Sequence, residues 1–137
     1  MVNSKTFYND RIHLILDRID LRPFFNIQTW KGIFSVIQEW AMILIAAFLC
    51  ETYFHWSIYI ITVVFIGARY LALGLLMHES VHGLISKNKR INDIVGEVFC
   101  AWPVIVSMKS YKVKHLKHHQ CLNTDEDPDY TAKTDKN

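Results

Sequence analysis

The chain has 137 residues, 51% of them hydrophobic, and its 15 Lys and Arg nearly balance 13 Asp and Glu for a net charge of +2. That length leaves room for one domain, and the weak net charge excludes a nucleic-acid binder that relies on bulk electrostatics. A mean hydropathy of +0.12, with the apolar residues gathered in blocks, points to a membrane protein.

Residues 7–21 place Ile12, Ile15, Leu16 and Ile19 at helical spacing, with Arg11, Asp17 and Arg18 between them. The pattern predicts a short amphipathic helix lying on the membrane or on the domain and ending near Arg22-Pro23. Asp10, Asp17 and Asp20 precede any apolar core, unlike a cleavable signal peptide. Cys50, Cys100 and Cys121 cannot all pair and form no CxxC motif. With no Asn-x-Ser/Thr site in the chain, a reducing, cytosol-facing setting for the polar parts is the simplest reading.

Two apolar blocks follow. Residues 33–50 would make a helix of roughly 27 Å and residues 58–77 one of roughly 30 Å, close to the thickness of a hydrocarbon core. The ETYFHWS link between them has no Lys or Arg, whereas five basic residues precede the first block and seven lie in 87–117 after the second. The positive-inside rule therefore predicts a transmembrane hairpin with both ends in the cytoplasm, anchored at the interfaces by Trp30, Trp56 and Tyr59. Two buried helices of a large soluble complex are the alternative. Each block carries one charge, Glu39 and Arg69, and in an antiparallel pair both would sit roughly 9–12 Å deep. Charges in hydrocarbon are costly and face partners, so a Glu39–Arg69 ion pair is expected to set the register of the hairpin. Val95 to Met108 is a third apolar piece, interrupted by Gly96, Glu97 and Pro103. It is too short to span, and a re-entrant or interfacial segment is expected there. Residues 1–30 thus form an amphipathic segment, 31–130 the domain, and 131–137 a polar tail.

Five of the seven histidines fall into two clusters around the third piece. His78 and His82 are four residues apart and share a helix face; His115, His118 and His119 are related by i, i+3 and i+4 and share another, with Tyr111 one turn earlier on it. Imidazole is the commonest ligand for transition metals, and two such faces at the cytoplasmic edge of a hairpin could close around one metal or share two. The first cluster also satisfies H-E-x-x-H, in which two histidines hold zinc and Glu79 would be the general base of a membrane hydrolase. That reading leaves His115, His118 and His119 largely unused. Asp127 and Asp129 could accept imidazole N–H groups and fix ligand tautomers, or form a solvated acidic turn around Pro128. Lys109, Lys112, Lys114 and Lys117 read as a positive-inside flank that could meet lipid phosphates or an acidic electron carrier.

HESVHG followed by YKVKHLKHHQCLNTDEDPD resembles the first two histidine boxes, H-x3-H and H-x2-H-H, of the membrane fatty acid desaturase family. The likeness covers roughly residues 30–130 and includes the hairpin, INDIVGE and AWP between the boxes, and DPD after the second. Relatives include acyl-lipid and acyl-CoA desaturases, alkane hydroxylases and carotenoid ketolases. The resemblance implies an all-α membrane fold, and a non-haem di-iron centre that uses O2 to break an unactivated C–H bond of a membrane lipid or acyl substrate. Electrons would come from a ferredoxin or cytochrome b5 type carrier. Carried over position by position, His78, His82, His115, His118 and His119 would be iron ligands. Zinc has no redox chemistry for that task, whereas nitrogen-rich ligation suits iron.

The family pattern has a third H-x2-H-H box after a second pair of spans, and no histidine follows His119. His13 and His55 are not placed to join the site. Against about eight or nine nitrogen ligands for two irons, five are little more than half a set. The expectation is an N-terminal portion of a desaturase, inactive alone and lacking a C-terminal half, with pooling of clusters in a dimer as a lesser variant. A membrane zinc hydrolase and a non-catalytic metal-binding module remain as alternatives.

Overall fold

The computed structural model describes residues 26–122 and 124–129; the amphipathic helix expected over 7–21 and the tail over 131–137 lie outside them. All regular structure among the described residues is helical. Helix α1 runs Thr29–Thr52 and α2 runs Trp56–Val81, and both are long and apolar enough to cross a membrane. β-Branched residues crowd the start of α2 (Ile58, Ile60, Ile61, Val63, Val64), and in water they would favour a strand. In lipid every backbone N–H and C=O must be satisfied within the segment, so the helix prevails. Ile61, Val64 and Leu71 are each about 70% exposed, as lipid-facing side chains must be in a hairpin with so little protein around it. At the turn, Phe54, Trp56 and Tyr59 pack ring on ring with centroids 5.7 to 6.3 Å apart, a fit for an interfacial aromatic cluster.

Both helices outrun the apolar blocks from which they were expected. Hydropathy marks depth in lipid rather than helix length, so α2 continues past residue 77 and carries His78 on its last turn. Glu39 and Arg69 meet across the hairpin, Oε2 to Nη1, at 3.4 Å. Arg69 also lies over the Phe65 ring, 5.2 Å from its centroid, while its Nε is buried without a hydrogen-bond partner. Breaking such a pair strands a charge in apolar surroundings, a loss of about 3 kcal/mol. Arg69→Gln and Glu39→Gln are each expected to lower the yield and thermal stability of the detergent-extracted protein. The swap Glu39→Arg with Arg69→Glu should recover part of the loss. A swap no better than the single changes would refute the coupling.

The broken third piece is helical but changes type along its length. Helix α3 (Lys89–Ile94) passes into a π-helical stretch, Val95–Ala101, and a short 3-10 turn at Trp102–Val104. Pro103 removes a donor there, and Ile105 takes φ +59°, rare for a β-branched residue. The chain then bends by 98° into α4, Met108–Gln120. A π-helix shifts carbonyls out of the usual ladder. One of them, Phe99 O, accepts the indole N–H of Trp40 on α1 at 3.0 Å. The small core lies where these elements cross: Val36 of α1, Met77 and Val81 of α2, Cys100 and Ala101 of the π-helix, and Met108 of α4. Cys50, Cys100 and Cys121 are free thiols.

Candidate metal centre

The two histidine clusters come together beside that core. His78 projects from the last turn of α2 and His82 caps its C-terminus. His115, His118 and His119 come from α4, whose start is secured by two oxygens. Ser107 Oγ accepts from Ser110 N at 3.5 Å, and Glu97 Oε2 from the π-helix accepts from Lys109 N at 3.3 Å. Glu97, which reads in the sequence as a polar interruption of an apolar segment, is thus a carboxylate at the positive end of α4. It ties the second cluster to the segment between the clusters.

His115 is the centre of the group. Its Nε2 lies 3.0 Å from Nε2 of His82 and 2.9 Å from Nε2 of His119, and its ring centroid is 4.3 Å from that of His78. His78, His82 and His115 each offer a ring nitrogen within 4.8 Å of the others, as one metal ion would require. Two nitrogens ~2.1 Å from one ion lie about 3.0 Å apart when the ion sees them at right angles, and about 3.4 Å apart in a tetrahedron. The Nε2 pairs are therefore close enough to serve as neighbouring ligands of one ion. Desolvation within the ring cluster, then the neighbouring His78 and His119, hold both His82 and His115 below the ordinary imidazole value of 6.5. At neutral pH each ring is uncharged and keeps one nitrogen lone pair for a metal.

Two other ring nitrogens, Nδ1 of His118 and Nδ1 of His78, have oxygen partners. Asp127, 2% exposed, brings Oδ1 within 2.7 Å of His118 Nδ1, and the more exposed Asp129 brings Oδ2 within 3.4 Å. The acidic turn is a built one: Asp127 Oδ1 also accepts from Asp129 N across Pro128 at 2.9 Å. His118, Asp127 and Asp129 form a second group with metal-ligand spacing. His118 is the outlier of its cluster, its ring centroid 6.4 Å from that of His115. Tyr111 was visible in the sequence only as a residue on the histidine face. Its hydroxyl lies 3.1 Å from His78 Nδ1, and its ring stacks on His115 at 5.1 Å. If the phenol oxygen accepts from Nδ1–H, Nε2 of His78 is the free donor. An aromatic residue four positions before His115 was the available signal.

Glu79 is exposed and belongs to neither group of ligand-spaced residues. The second cluster, which an H-E-x-x-H hydrolase leaves unused, is in contact with both histidines of the first. His55 sits at the other end of the hairpin, where Nδ1 caps α2 by accepting from Ser57 N at 3.3 Å.

The family profile described as fatty acid desaturase matches residues 54–136, which hold α2 and both clusters. Among curated proteins, the chain is similar to dihydrorhizobitoxine desaturase of Bradyrhizobium elkanii, at 30% identity over 80% of this chain and 30% of that protein. It is similar to the chloroplastic omega-3 fatty acid desaturase of Brassica napus, at 26% identity over 66% of this chain and 22% of the relative. It also resembles a beta-carotene ketolase of a Paracoccus strain, at 32% identity over 48% of this chain and 28% of the relative. The chain spans less than a third of the length of these relatives. No solved structure matches it.

Proposed function

Because the chain belongs to the fatty acid desaturase family, we propose that it supplies two histidine clusters of a di-iron centre for O2-dependent oxidation of a C–H bond in a membrane acyl lipid. The observation that carries this reading is the convergence of Nε2 atoms from His82, His115 and His119 at the end of a membrane-length hairpin. His78, His82, His115, His118 and His119 would hold the metal, within a domain spanning about 31–130. When bound, iron supplies the redox chemistry that an unactivated C–H bond demands and zinc lacks. The protein's own part is to aim nitrogens. Asp127 would accept a hydrogen bond from His118 Nδ1–H, and the Tyr111 hydroxyl oxygen one from His78 Nδ1–H, which leaves Nε2 of both rings for the ion.

Five imidazoles fall short of the about eight or nine nitrogens that a pair of irons takes in the family. The remaining ligands would come from polypeptide outside these 137 residues, and turnover by this chain alone is not expected. The basic flanks favour a cytoplasmic centre, where a ferredoxin or cytochrome b5 type carrier would deliver electrons.

The test is metal analysis and anaerobic Fe(II) titration of the full chain, purified in detergent from iron-replete cells. Fewer than two irons per chain are expected, held reversibly. Affinity should fall as the pH is lowered below the ordinary imidazole value, because protons then compete with the metal for His82 and His115, whose pKa values lie below 6.5. About one tightly held zinc would overturn the reading in favour of the hydrolase. Absence of Fe(II) binding at any pH between about 6 and 8 would overturn it outright.

A further inference from the structure

His82 sits where a helix is weakest. The last carbonyls of a helix lack intrahelical donors, and its final turn frays. A metal ligand, by contrast, must be held within about 0.5 Å of its working position. The backbone closes this end in part. His82 is the C-cap of α2 and Gly83 follows at φ +76°, with Gly83 N donating to Ser80 O at 2.9 Å and Leu84 N to Glu79 O at 3.0 Å. That is a Schellman closure, which needs a residue free to adopt positive φ just after the cap.

A side chain from the next helix completes it. Asn92 of α3 is 2% exposed. Its Nδ2–H donates to Ser80 O at 2.8 Å, and its Oδ1 accepts from Ile85 N at 3.3 Å. The Ser80 hydroxyl, fully buried, donates back to Asn92 O at 2.9 Å. Ser80 and Ile85 bracket His82, two residues before it and three after. Asn92 therefore pins the chain on both sides of the histidine with no hydrogen bond to the histidine itself. Each donor and acceptor in this network is matched, and buried polar networks of that kind specify one arrangement where apolar packing would tolerate several.

We propose that Asn92 is a positioning residue for metal binding: it holds the end of α2 so that His82 Nε2 meets His115 Nε2. The proposal rests on the metal-binding reading given above, and its effect is expected to run through His82.

Co(II) is the probe, followed by visible absorption on the full chain in detergent. Wild type, Asn92→Ala, His82→Ala and the double variant form a cycle, with helicity checked by circular dichroism. Asn92→Ala should weaken Co(II) binding about tenfold or more. In the His82→Ala background the same change should cost less than about twofold, because the ligand it positions is already gone. An equal loss in both backgrounds, or no loss in either, overturns the proposal. If Asn92→Ala lowers helicity, Ser80→Ala decides on the same criterion, since it removes only the returning hydroxyl bond. A wild-type chain that binds no Co(II) removes the metal reading itself. A wild type that binds, with Asn92→Ala unchanged, removes the positioning role alone.

Discussion

His115→Ala is expected to lower the affinity of this chain for Fe(II) or Co(II) by more than about a hundredfold, since loss of a group that merely orients a ligand already costs 10–100-fold. His115 joins the clusters. Its Nε2 is within 3.0 Å of His82 and 2.9 Å of His119, and its ring is the nearest from α4 to His78. Truncation leaves the ring contact of His82 with His119, centroids 5.2 Å apart, as the remaining link between the α2 and α4 histidines. His118→Ala should cost less, because that ring stands apart, its centroid 6.4 Å from that of His115. His55→Ala is the control: it removes a helix cap at the far end of the hairpin and should leave metal affinity unchanged. Isothermal titration under anaerobic conditions measures all three. Affinity within about twofold of wild type in His115→Ala would show that the clusters act separately.

A large loss of stability is expected from Gly96→Ala. A Cβ at position 96 would stand 2.5 Å from Ser80 Cβ and 2.6 Å from Met108 Sδ, and closer still to Ser80 Oγ. The Met108 side chain can swing aside. Ser80 is less free, because its hydroxyl is bonded to Asn92 O and its carbonyl to Asn92 Nδ2. The π-helix would have to move away from α2, opening the core around Val81, Cys100 and Met108. Overpacking of this kind costs about 3 kcal/mol, which corresponds to a fall of roughly 10 °C or more in the unfolding temperature. Gly74→Ala provides the comparison. No atom lies within 4 Å of a Cβ there, so the change should be neutral or slightly stabilising through helix propensity. Thermal unfolding in one detergent distinguishes them, and equal midpoints would refute the close contact between α2 and the π-helix.

Much of the frame is written in local periodicity. Two apolar blocks separated by a link without cations specify a hairpin, because lipid leaves helix as the only way to satisfy the backbone of such segments. The i, i+3 and i+4 spacing of the histidines places each cluster on one helix face for the same covalent reason. Matching depths for Glu39 and Arg69 follow from counting residues inward from the ends of the two blocks that lie away from the connecting link. Gly96, Glu97 and Pro103 mark the third apolar piece as broken.

What periodicity could not supply are the relations between elements. Nothing in residues 95–101 announces a π-helix, and nothing in Trp40 announces that it will satisfy a carbonyl of that helix. The extension of α2 through His78 to Val81 is invisible to hydropathy, since the last turn lies beyond the apolar block. Glu97 as a cap on α4, Tyr111 against His78 and Asn92 at the end of α2 are all contacts between residues at least 12 apart. Each depends on how closely two helices approach, and where the π-helix crosses α2 that approach leaves no room for a Cβ on Gly96 beside Ser80. Which side chains share a face can be read from residue spacing, because that is a property of one helix. Which nitrogens meet cannot, because that depends on packing and buried hydrogen bonds between helices.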